Sequence, residues 1–149
     1  MGDLLREKDW ASTELGPVES WSQALLTVSS LMMASTFPMS LWWGPNNIVL
    51  YNDGYVPFIA EKHPSLYGTR AKDGFEELWY ILGEVADAVR TGQSTYSEDQ
   101  CLMLLRHGFL EETYFTYGFL PVREETGDVG GLLARTSLVV EIPDMFSLL

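Results

Sequence analysis

Apolar positions recur along this chain in two rhythms, one helical and one extended. Trp21, Leu25, Val28 and Met32 fall at helical spacing, with Leu31 beside them and Ser22, Gln23, Ser29 and Ser30 on the opposite side. The spacing predicts a helix from near Ser20 that ends by Ser35-Thr36, because Phe37 precedes Pro38 and is biased to extended backbone. A longer apolar face runs through Phe75, Leu78, Trp79, Leu82, Val85, Ala86 and Val89. Asp73 is placed to cap that helix, Arg90 to complement its dipole and Gly92 to supply a left-handed stop.

Extended stretches fill the gaps. Phe37 to Trp43 and Ile48 to Tyr51 read as a hairpin around a Gly44-Pro45-Asn46-Asn47 turn. Asp53 is an N-cap for a short, irregular helix through Ala60 that contains Pro57, and a further short segment, His63 to Tyr67, ends at Gly68. Three more extended segments follow: Thr95 to Arg106, Thr113 to Arg123 and Val129 to Val140. His107-Gly108 and Glu125-Thr126-Gly127-Asp128 are the turns between them. Phe115, Tyr117 and Phe119 alternate with Tyr114, Thr116 and Gly118, so both faces of that strand carry bulk. The predicted order is helix, hairpin, short helices, long helix and a three-stranded meander. Three parts are expected: a cap segment with its helix over 1–36, a core over 37–140 and a tail over 141–149.

Composition narrows the function. A chain of 149 residues normally folds as one domain, and 46% hydrophobic residues supply its core. With 21 acidic against 9 basic residues and a net charge of -12, a basic face for nucleic acid or for an anionic membrane is hard to assemble. Cys101 is the only cysteine, so no internal disulfide forms. No apolar run approaches the ~20 residues that span a bilayer, and the N-terminus lacks the apolar stretch of a signal peptide. Gly2 is followed by Arg6 and Glu7 where an acylation motif needs Ser or Thr. A cytoplasmic location is expected.

The order of elements matches the PAS fold. Trp10, Leu15-Gly16-Pro17, Ser20-Trp21, Phe37-Pro38-Met39, Trp42-Trp43-Gly44-Pro45 and Leu50-Tyr51-Asn52-Asp53 carry a closer resemblance. So do Lys62-His63-Pro64, Trp79, Gly92, Ser97-Glu98-Asp99 and the run from Gly108 to Phe115. Together they resemble the N-terminal PAS sensor domain of bacterial and fungal hybrid histidine kinases, from about Trp10 to Gly131. The resemblance implies an α+β fold: a five-stranded antiparallel sheet with short helices and one long helix on one face, plus an N-terminal helical cap. It implies signal input rather than catalysis. Beyond Gly131 no dimerisation helix, phospho-accepting histidine motif or ATP-binding glycine box is present, so the chain reads as an excised sensor or as a short stand-alone binding protein.

A PAS cavity would lie between the sheet and the long helix. Trp42, Tyr51, Phe58, Trp79, Met103, Tyr114 and Tyr117 are its candidate lining, suited to a flat ligand that also needs a hydrogen bond. The same residues are equally read as a filled core. Asn52 is a candidate polar contact at the pocket mouth, and the Asn52-Asp53 junction is equally read as helix capping. Trp21, Leu25, Val28 and Met32 are the candidate dimer face of the N-terminal helix. A downstream signalling domain is the expected partner.

No catalytic residue, metal or cofactor is expected. His63 sits before a proline and His107 in a hairpin turn, and neither makes a metal-ligand spacing with Cys101. Those settings are awkward for a haem ligand. A flavin adduct in a related PAS subclass uses a helical cysteine, whereas Cys101 lies in a predicted strand between Gln100 and Leu102. The adjacent pairs Glu76-Glu77, Glu111-Glu112 and Glu124-Glu125 point apart and form no acid–base dyad, while Glu111-Glu112-Thr113 faces Arg106 across a hairpin. Two alternatives stay open: a small α+β enzyme using His63 or Asp53 as a base, and a ligand-free interaction domain distinguished by its cavity volume.

Overall fold

The structure, a computed structural model, describes residues 2–142, with side chains through Val139. Residues 143–149 of the expected tail lie outside the described residues. The strands are β1 (Met39–Trp43), β2 (Ile48–Tyr51), β3 (Thr95–Arg106), β4 (Phe109–Arg123) and β5 (Val129–Ile142). They form a five-stranded sheet in the order β2-β1-β5-β4-β3, with every neighbouring pair antiparallel. Trp42 stands opposite Val49 on one side and Leu132 on the other, which puts β1 inside the sheet. The edge of β2 is covered by a loop: Gly68 N–H donates to the Val49 carbonyl at 2.8 Å, and Val49 N–H to the Thr69 carbonyl at 2.9 Å.

The helices are α1 (Gly2–Glu7), α2 (Gln23–Ala34), α3 (Val56–Ile59), α4 (Ala71–Gly74) and α5 (Trp79–Arg90). Helix α2 starts two residues after Trp21, because the Ser22 side chain accepts from Leu25 N–H and caps it there. Trp21 is extended, and its indole donates to the Gly16 carbonyl at 3.0 Å while its ring meets Trp10 edge to face at 5.1 Å. The buried stripe of α2 is Leu25, Val28, Ser29 and Met32, so Ser29 points inward and Leu31, off the stripe, is 67% exposed. The four residues expected to form a dimer face are therefore corrected: Trp21, Leu25, Val28 and Met32 are all buried in the core of a single chain, and the exposed apolar side chains of α2 are Leu26 and Leu31.

The long amphipathic face is also interrupted. Phe75 (φ -118°, ψ 41°) breaks the chain into α4, one 3-10 turn (Glu76–Leu78) and α5. At the break Lys62 Nζ donates to the Gly74 carbonyl at 3.0 Å and Leu78 N–H bonds the Phe75 carbonyl at 2.9 Å, while Leu66 packs so close that a Cβ on Gly74 would lie 2.1 Å from its Cδ1. Asp73 thus lies within α4 and does not cap the long helix. Gly92 has the left-handed backbone expected of it, with φ 100°. Strand β4 begins at Phe109, earlier than Thr113, because His107 and Gly108 (φ 55° and 83°) close a two-residue hairpin.

One face of the sheet carries Trp42, Leu102, Leu104, Phe115, Tyr117 and Phe119 toward α3 and α5. The other face carries Leu120 and Leu133, which share an open groove with Val28 and Leu31 of α2.

Candidate functional site

The inner face of the sheet and the helical segments over it enclose a cavity of about 50 Å³. Trp42 is at its centre. The Trp42 ring lies 5.0 Å from Phe119, 6.0 Å from Phe75 and 5.9 Å from Trp79. Phe119 meets Tyr117 at 5.8 Å, and Phe58 meets Phe115 at 5.5 Å, both edge to face. Ser40, Tyr55 and Thr136 bring hydroxyls to the lining, and among the described residues no charged side chain, histidine or cysteine lines it. Burial pushes the Tyr55 phenol up to about 12, against a hydrogen bond with Ser40 that lowers it.

Among the expected site residues, Trp42, Phe58 and Tyr117 line this cavity. Trp79 packs against Trp42 with tilted rings and does not line it. Tyr51 lies one layer back: its ring is 5.6 Å from Tyr55 and 5.0 Å from Tyr67, and its hydroxyl is 2.8 Å from His63 Nδ1. Burial raises the Tyr51 and Tyr67 phenols well above their ordinary range. Met103 and Tyr114 are corrected outright. Leu102, Leu104, Phe115 and Tyr117 point into the cavity, so strand alternation sends Met103 and Tyr114 to the far face. There the Tyr114 hydroxyl donates to Glu112 at 2.5 Å, a bond that pushes the phenol up to about 12.

Asn52 does not line the cavity, and although it stands at the N-cap position of the 3-10 turn Asp53–Tyr55, its side chain makes no capping bond to that turn. Its Oδ1 accepts from Met39 N–H at 3.0 Å, and its Nδ2 donates to the carbonyls of Met32 (3.0 Å), Ser35 (3.3 Å) and Phe37 (2.8 Å). It pins the end of α2 to the start of β1, and its side chain is fully committed there.

The cover over the cavity runs from Asp53 to Lys62 and supplies Tyr55, Phe58 and Ile59. Ala60 within it has φ 48° and ψ -116°, a backbone region that favours glycine. The β3–β4 hairpin holds this cover down. Arg106 donates to the Pro57 carbonyl at 2.9 Å and the Phe58 carbonyl at 3.2 Å. Gly108 N–H donates to Glu61 at 2.9 Å. Glu111, buried, bridges Arg106 at 2.9 Å and His107 at 2.5 Å.

Sequence reasoning missed Ser40, Tyr55, Ile59, Phe75, Leu78, Leu82, Leu102, Leu104, Phe115, Phe119 and Thr136. Alternation held the signal for several of them: Ser40 is two residues from Trp42, and Phe115 and Phe119 flank Tyr117 at the same interval.

The residues present do not fit haem or an adduct-forming flavin. Such groups need a site of roughly 300 Å³ or more, against about 50 Å³ here. Cys101 faces away beside Tyr114, His107 is on the hairpin tip, and His63 borders a separate surface cleft with Leu4, Asp53 and Pro64. Among the described residues no group of three or more His, Cys, Asp and Glu is placed to hold a metal ion. None of the described helices is long and apolar enough to cross a membrane.

No family model and no curated protein matches the chain. Solved structures do match in shape. The LOV protein of Rhodobacter sphaeroides is similar with a TM-score of 0.60 at 13% identity, over 78% of this chain and 67% of that one. A sensory box sensor histidine kinase from Vibrio cholerae matches with a TM-score of 0.53 at 18% identity, over 79% of this chain and 91% of that chain. The PAS domain of Bordetella pertussis BvgS matches with a TM-score of 0.51 at 16% identity, over 83% of this chain and 90% of that one. The chain has the PAS/LOV fold.

Proposed function

We propose that this chain is a sensory module that binds a small molecule inside its sheet and passes on a conformational bias, without catalysis of its own. The observation that carries this reading is the aromatic cavity between the sheet and its cover, whose lining has hydrogen-bonding groups but, among the described residues, no charged side chain, histidine or cysteine. That lining also weighs against an enzyme built on His63 or Asp53, since neither borders the cavity. The bias travels through the cover: a molecule touching Tyr55, Phe58 or Ile59 shifts the segment that Arg106 and Glu61 tie to the β3–β4 hairpin. A finer role follows within this proposal, input to a two-component (hybrid) histidine kinase in the cytosol, and the likeness to a sensory box sensor histidine kinase supports its kinase part.

Native mass spectrometry of freshly purified protein, paired with hydrogen exchange, tests the reading. A retained small mass, with slower exchange over 53–62 than in stripped protein, is expected. A bare apo mass with no exchange change across a small-molecule screen stands against it. That outcome would favour a ligand-free interaction domain, a second reading supported by how much of the interior the aromatic rings already fill.

A further inference from the structure

We infer that the ligand of this cavity is a compact, uncharged molecule with a hydrogen-bond acceptor, held by the indole N–H of Trp42 and the phenol of Tyr117. The inference rests on the binding reading above and names the chemistry of that site. Both side chains line the cavity, Trp42 at 1% exposure and Tyr117 at 4%. Neither Trp42 Nε1 nor the Tyr117 hydroxyl has a hydrogen-bond partner among the described residues. Folded proteins seldom leave buried polar atoms without a hydrogen bond; among the described residues Ser29, Tyr67, Glu77 and Thr95 also carry one, and Trp42 and Tyr117 are the two of these residues that line the cavity. Phe119 packs against both rings, 5.0 Å from Trp42 and 5.8 Å from Tyr117.

The chemistry of the missing partner follows from the groups that face it. An indole N–H only donates, so whatever meets Trp42 must accept. The phenol donates to the same kind of atom. Among the described residues no cation lines the cavity to neutralise an anion, and no carboxylate to neutralise a cation. An unpaired ion there would lose far more in hydration than two hydrogen bonds return. Volume sets the size. An apolar cavity of about 150 Å³ holds benzene, so about 50 Å³ suits two or three non-hydrogen atoms, and anything larger must lift the cover.

Three probes of matched size separate these requirements: dimethyl ether (uncharged acceptor), propane (same shape, no acceptor) and formate (charged acceptor). The readout is the Trp42 indole resonance in 1H–15N spectra of the full chain, assigned by its loss in Trp42→Phe. Dimethyl ether is expected to shift it saturably and to bind roughly fivefold more tightly than propane, the worth of one net hydrogen bond. Formate is expected to leave it in place. Tyr117→Phe should bring dimethyl ether down toward propane and leave propane unchanged. Propane binding as well as the ether would overturn the acceptor requirement, and tighter binding by formate would overturn the uncharged one. If none of the three moves the wild-type indole the inference fails, while the binding reading itself is decided by the retained mass and the exchange over 53–62.

Discussion

Arg106 and Glu111 form an ion pair at 2.9 Å whose side chains are only 2% and 5% exposed. The same guanidinium holds the Pro57 and Phe58 carbonyls, so this pair ties the hairpin to the cavity cover. Removing one partner strands a buried charge, which typically costs 3–5 kcal/mol. Glu111→Ala is therefore expected to lower stability by about 3 kcal/mol. Urea unfolding checks this through a lower midpoint at unchanged slope, and a shift within error of wild type would refute it.

Ala60 is held where glycine is at ease, at φ 48° and ψ -116°. Such strain costs on the order of 1–3 kcal/mol, and glycine's extra unfolded freedom takes back roughly 0.5–1. Ala60→Gly should raise stability by about 1 kcal/mol, read as a higher thermal midpoint. A lower midpoint would show that the cover is not strained there.

Val28 faces the sheet and Leu31 faces outward on the same helix. Val28→Asp buries a charge with no designed partner and should destabilise the fold by about 3 kcal/mol or more. Leu31→Asp should stay within about 0.5 kcal/mol of wild type. Equal losses in chemical denaturation would place both side chains inside.

These contrasts mark where the sequence was legible. Period two identified the inward row of β4 at Tyr117, and turn chemistry found His107-Gly108 and Gly92. Met103 failed by one residue, because in a strand an error of one is an error of face. Trp21 kept the right burial on the wrong element, since a capping serine next to it set the helix start. The break at Phe75 was hidden because the Gly74 carbonyl is taken there by Lys62 from a separate segment. Asn52 was hidden for a similar reason: its partners come from α2, the following loop and β1.

Two exposed carboxylates set an acid limb of stability. The His107 and Gly108 amides hold the Glu61 carboxyl below its ordinary 4.5, and hydrogen bonding by Arg70 does the same for Glu14. A folded-state value below the unfolded one means the contribution is present above the unfolded pKa and is lost as pH falls through the folded one. Both side-chain carboxyl resonances should therefore titrate with midpoints under 4.5, and Glu61→Gln should flatten the acid limb. A Glu61 midpoint at or above the ordinary value would remove this coupling.

Asn52 needs both halves of its amide. Its oxygen takes Met39 N–H, while its nitrogen faces three carbonyls, those of Met32, Ser35 and Phe37. Asn52→Ala loses these bonds and strands their backbone partners, a cost of about 3 kcal/mol. Asn52→Asp is nearly the same shape but does worse at neutral pH, because a carboxylate oxygen replaces the donor against three acceptors. Those carbonyls raise the pKa of the new carboxyl above its unfolded value of about 3.9. A raised folded value favours the protonated form, so the penalty shrinks as pH falls through it and a carboxylic O–H can again donate to one carbonyl. Urea unfolding at about pH 7 and pH 4 should place Asp below Ala at the higher pH and close the gap at the lower one. An Asp variant as stable as wild type at pH 7 would mean that the amide does not join α2 to β1.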